Sequence, residues 1–74
     1  MRYQLAELVA ASGFSVDTIR YYQAIGLLHP PAHEGRIAIY DESHLDRLRL
    51  VRSMSAKGLP LKVISMLLAR GEHP

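Results

Sequence analysis

Two short helical patterns separated by only three residues constrain this chain more than anything else in it. Gln4-Leu-Ala-Glu-Leu-Val-Ala-Ala-Ser12 sets Leu5, Leu8 and Val9 at the i, i+3, i+4 spacing of an amphipathic helix. Gly13-Phe14 interrupts it. Ser15, whose hydroxyl suits an N-cap, opens a second run that Gly26 closes. At about 100° per residue, Val16, Ile19 and Gln23 share one face of that second helix. Asp17, Thr18 and Tyr21 lie opposite, with Arg20 and Tyr22 on the flanks. The spacing alone fits an ordinary helical hairpin as well as a helix-turn-helix. The outer face separates them. A hydroxyl, two phenols and a guanidinium hydrogen-bond phosphates and base edges, whereas a purely structural helix carries Lys and Glu there.

Downstream, His29-Pro30-Pro31 stops any helix, and Ala32-His-Glu-Gly35 reads as a turn. Arg36-Ile-Ala-Ile-Tyr40 alternates, with Ile37 and Ile39 on one side and Arg36, Ala38 and Tyr40 on the other. This predicts a half-buried strand paired with Leu28-His29 in a small hairpin. Asp41 caps a longer helix, Glu42 to Lys57, with Leu45, Leu48, Val51 and Met54 or Ser55 inside and Gly58 just past its end. Pro60 sits at the first position of a last, strongly apolar helix that ends at Gly71. The expected fold is mainly α with one β-hairpin: helix, helix, hairpin wing, helix, helix, a winged helix-turn-helix. One domain is expected over residues 1–71, with 72–74 a tail leading to an absent dimerisation helix.

At 74 residues with no cysteine, the chain has neither a disulfide framework nor a thiolate metal site. No secretory signal is evident and no apolar run is long enough to span a membrane, so a cytoplasmic protein is expected. Nine basic and seven acidic residues leave a net charge of only +2, which does not by itself announce a nucleic-acid partner. Distribution says more. Arg36, Arg47, Arg49, Arg52, Lys57 and Lys62 fall in one half, although the three middle arginines read equally well as a solvated helix face. His29, His33, His44 and His73 are scattered, so neither a metal nor any other cofactor is expected. No nucleophile with a base, acid pair or phosphate loop suggests an enzyme.

Thr18-Ile-Arg-Tyr-Tyr22, Gly26-Leu-Leu28 with Pro30-Pro31, Tyr40-Asp-Glu42, Leu45-x-x-Leu48 and Lys57-Gly-Leu-Pro-Leu61 together closely resemble the N-terminal domain of MerR-family transcriptional regulators. The resemblance covers essentially the whole chain. It implies a second helix in the major groove of double-stranded DNA, and a wing and a second helix pair on flanking backbone. It further implies RNA polymerase at the promoter, and a homodimer made by a later helix that this chain lacks. Three positions depart from the family pattern. Gln23 stands where an acid is usual, Ala38 where the wing arginine is usual, and Ser55 where some relatives are basic. Arg36, two residues before Ala38, is the expected substitute. The residues expected to meet DNA are Ser15, Asp17, Thr18, Arg20, Tyr21, Tyr22, Arg36, Tyr40 and Lys62. An excisionase-like architectural protein and a protein-docking module with tyrosine anchors are the competing readings.

Overall fold

The computed structural model describes residues 1–71; the expected tail, 72–74, lies outside them. Seven elements follow in order: β1 (Arg2–Tyr3), α1 (Leu5–Ser12), α2 (Val16–Ala24), β2 (Ala32–Glu34), β3 (Ile37–Asp41), α3 (Glu42–Ala56) and α4 (Leu61–Gly71). Helix starts follow local chemistry. At α1, the Glu7 carboxylate accepts from the Gln4 backbone N–H at 2.7 Å. At α2, Ser15 Oγ accepts from the Thr18 N–H at 3.1 Å. At α3, Asp41 Oδ1 accepts from the Ser43 N–H at 2.9 Å. Each satisfies a donor that has no partner inside its helix.

Two helix ends use the same device. Gly26 and Gly58 take positive φ, 79° and 91°. Leu27 N–H then reaches Tyr22 C=O (2.8 Å) while Gly26 N–H reaches Gln23 C=O (3.2 Å), and Leu59 and Gly58 repeat the pattern on Met54 and Ser55. These are Schellman closures. They turn Leu27 and Leu59 back onto the core. Pro60 lies one position ahead of its expected place: its carbonyl accepts from Ile64 N–H, and α4 begins at Leu61.

The sheet corrects the sequence reading. Its order is β1-β3-β2, antiparallel throughout. β3 pairs with Ala32–Glu34, the segment read as a turn, and not with Leu28-His29. On its other edge it pairs with Arg2–Tyr3, which carries too few residues to show a period. Leu28 is instead a core residue, turned in by the closure of α2. The inward face of β3 is also the opposite of what the two isoleucines suggest. Tyr40 is buried and Ala38 half-buried, whereas Ile37 is 49% exposed.

The core is Leu8, Ile19, Tyr22, Leu27, Leu28, Tyr40, Leu45, Leu48, Val51, Ile64 and Leu68. Every helix contributes, and α2 enters the core through Ile19 and Tyr22 on one face. Among the described residues no helix is long and apolar enough to cross a membrane.

Candidate nucleic-acid interface

α2 is amphipathic in the sense that matters for recognition. Ile19 and Tyr22 are buried, while Asp17, Arg20 and Tyr21 are exposed on the other side, Tyr21 by 54%. Arg20 forms no hydrogen bond or ion pair with the described residues, and the Tyr21 hydroxyl forms no hydrogen bond with them. Ser15 and Thr18 serve the cap before anything else. The Ser15 hydroxyl donates to Thr18 Oγ1 at 3.0 Å while accepting from the Thr18 N–H.

Two tyrosines expected at the surface belong to the core. The Tyr22 ring packs edge-on against Phe14, with centroids 5.7 Å apart. Tyr40 is 3% exposed, and its hydroxyl donates to Gln23 Oε1 at 3.0 Å. Burial raises the Tyr40 phenol above its ordinary value, partly offset by the Arg20 charge nearby. The reason is geometric. Turning Ala38 and Tyr40 inward takes the phenol off the wing surface, and Gln23 on α2 then accepts its hydrogen bond. Sequence reading missed this bond. Its one signal was that Gln23 departs from the usual acid while keeping an acceptor oxygen.

Arg36 lies outside β3, in the two-residue turn where Glu34 and Ile37 close the hairpin. It is therefore at the wing tip and exposed. Lys62, in the first turn of α4, is exposed as well. Tyr21 and Lys62 line the same shallow groove of about 370 Å³, floored by Ile25, Leu61 and Met66. The fold thus gathers Asp17, Arg20 and Tyr21 on α2, sets Lys62 beside Tyr21 and holds Arg36 apart on the wing.

A bracket centred on one buried histidine ties the loop after α2 to the start of α3. His44 is 3% exposed. Its Nδ1 accepts from the Asp41 N–H (3.0 Å), and its Nε2 lies 3.3 Å from the Pro30 carbonyl, an arrangement met by the Nε2–H tautomer. His29 stacks on it at 3.9 Å, with planes 20° apart. His29, Asp41 and His44 bring ligand-type atoms within 4.8 Å of one another. Nearly parallel stacked rings aim their in-plane lone pairs side by side, not at one point. In addition, His29 Nε2 is engaged by Ser43 Oγ at 2.8 Å and His44 Nδ1 by the Asp41 N–H. This is a hydrogen-bonded brace, not a cation cage. The Ser43 hydroxyl and N–H, both donating to it, hold the Asp41 carboxyl at about 2, below its ordinary 3.8.

The family model for the MerR HTH family regulatory protein matches residues 3–71. The chain belongs to the MerR family. It is 33% identical over 69 residues to a mercuric resistance operon regulatory protein of Bacillus cereus, covering 92% of this chain and 52% of that one. It is 35% identical over 68 residues to the HTH-type transcriptional regulator ZntR of Escherichia coli K12, covering 90% and 48%. Among solved structures it is similar to the lead(II) complex of the transcription regulator PbrR691 of Ralstonia metallidurans CH34: TM-score 0.84, 39% identity, 96% of this chain and 56% of that one. It is also similar to HiNmlR, a MerR family regulator lacking the sensor domain, solved bound to promoter DNA: TM-score 0.77, 27% identity, 96% and 57%. The MerR-like winged helix is therefore established, and these relatives are regulators and not enzymes. The chain spans about half the length of the curated relatives it matches.

Proposed function

We propose that this chain is the sequence-specific DNA-binding module of a MerR-type transcriptional regulator. The observation that carries the reading is the outer face of α2. Arg20 and Tyr21 stand clear of a helix whose opposite face is buried in the core, and neither polar group has a hydrogen-bond partner among the described residues. In this reading α2 lies in the major groove. Arg20, Tyr21, Asp17 and Thr18 meet base edges or phosphates there, and Ser15 meets the backbone at the helix start. Arg36 at the wing tip and Lys62 at the start of α4 contact flanking phosphates. Tyr22 and Tyr40 act from inside, by fixing α2 and the wing. Similarity to a regulator solved on promoter DNA supports this reading.

Residues 1–71 form one domain that would precede a dimerising helix. Pairing through that helix, action with RNA polymerase at a promoter and a cytoplasmic location are parts of the same proposal. The test is a titration of the 74-residue chain on duplexes selected from a randomised library, at several salt concentrations. Log affinity is expected to fall linearly with log salt, with a slope set by a handful of phosphates. No binding to any duplex at low salt would overturn the proposal and favour the protein-docking alternative.

A further inference from the structure

Arg52 lies on α3, away from the residues assigned to DNA, yet its guanidinium is spent on the helix-turn-helix turn. Its charge sits 4.4 Å above the centre of the Phe14 ring. Its Nη2 donates to the Ser12 carbonyl at 3.1 Å, capping one of the open carbonyls at the end of α1. The same Nη2 would lie 3.1 Å from a Cβ placed on Gly13, so the absence of a side chain there leaves the approach open. Gly13 also holds φ at +79°. One planar group thus meets Ser12, the last residue of α1, and lies against both residues, Gly13 and Phe14, that separate it from the α2 cap.

The contact continues inward. Phe14, held by Arg52 on one side, packs on Tyr22 on the other, and Tyr22 lies 6.3 Å, ring to ring, from Tyr21. We propose that Arg52 is a positioning residue for DNA reading: it clamps the turn from α3 and so fixes the angle at which α2 presents Arg20 and Tyr21. This rests on the reading of α2 as the DNA-contacting helix. The chemistry asks for arginine. A lysine keeps the charge but cannot lie flat on a ring and donate in-plane to a carbonyl together.

The test compares the wild-type chain with Arg52→Lys and Arg52→Ala. DNA affinity is measured on a library-selected duplex and on a scrambled duplex of equal length, across a salt series. Amide hydrogen exchange is followed at Phe14 and Ser15, with Leu48 as the internal reference. A charge-assisted hydrogen bond and an exposed cation–π contact together lead us to expect affinity of Arg52→Ala for the selected duplex about tenfold lower. The scrambled duplex should bind as before, with the salt slope unchanged. Exchange should quicken at Phe14 and Ser15 relative to Leu48. Arg52→Lys should show the same pattern despite its retained charge, and it carries the test alone if Arg52→Ala fails to fold.

An equal loss on both duplexes with the slope reduced by one unit would make Arg52 a phosphate contact and overturn the proposal. So would unchanged affinity, or exchange that quickens equally at Leu48. If wild-type binds neither duplex at low salt, the reading of α2 fails, and the exchange comparison alone then decides whether the clamp exists.

Discussion

The Arg20 guanidinium and the Tyr21 hydroxyl are exposed polar groups with no hydrogen-bond partner among the described residues. Arg20→Ala and Tyr21→Phe should therefore weaken DNA binding, the first by about 1–3 kcal/mol, while thermal melts stay close to wild type. An Arg20→Ala melt far below that of wild type would mean the side chain is structural after all. Asp41 makes a different residue-scale claim. Its carboxyl is depressed from 3.8 to about 2 chiefly by the Ser43 hydroxyl and N–H, so the ionised form is favoured in the folded chain. The associated stability is present above about pH 4 and is lost as pH falls toward about 2. The melting temperature of wild type should exceed that of Asp41→Asn near neutrality, and the gap should close through that window. The polar residues of α2 were legible because helical periodicity separates its two faces. Tyr22 and Tyr40 were not. A tyrosine reads alike in sequence whether its ring covers the core or meets a partner; the Phe14 packing of Tyr22 and the Gln23 bond of Tyr40 show which applies.

Element by element, the helices were legible and the sheet largely was not. Each helix carries caps and a 3.6-residue period over two turns or more, so α3 was placed to within a residue of its observed Glu42–Ala56. Strands of two and three residues carry no usable period, and β3 is apolar on both faces. Its inner side is decided by Tyr40 and Ala38 fitting over the helices. This matters for the wing. Arg36 at the tip is free to reach a phosphate, and Arg36→Ala should lower affinity equally on all duplexes and flatten the salt slope by about one unit. Restoring the family's usual arginine at Ala38 should not strengthen binding here. Ala38 packs against the core, and Ala38→Arg should lower the melting temperature instead.

At the scale of the whole molecule, a chain of 74 residues has one small core and little reserve. Leu48, fully buried where α3 meets the other helices, is the sharpest probe. Leu48→Ala should cost about 2–5 kcal/mol, enough to leave much of the chain unfolded at 37 °C by denaturant titration. The pairing of Arg2 with Asp41 and Tyr3 with Tyr40 has a consequence in time. α1 and α2 meet through neighbours close in sequence and can form early. β1 must wait until a segment almost forty positions away has been delivered and ordered, because the entropy of closing a long loop is lost before its contacts form, whereas helical contacts are local. The chain's first residues are therefore among the last to find their place, and the wing acquires its full width only when the rest of the domain is already built.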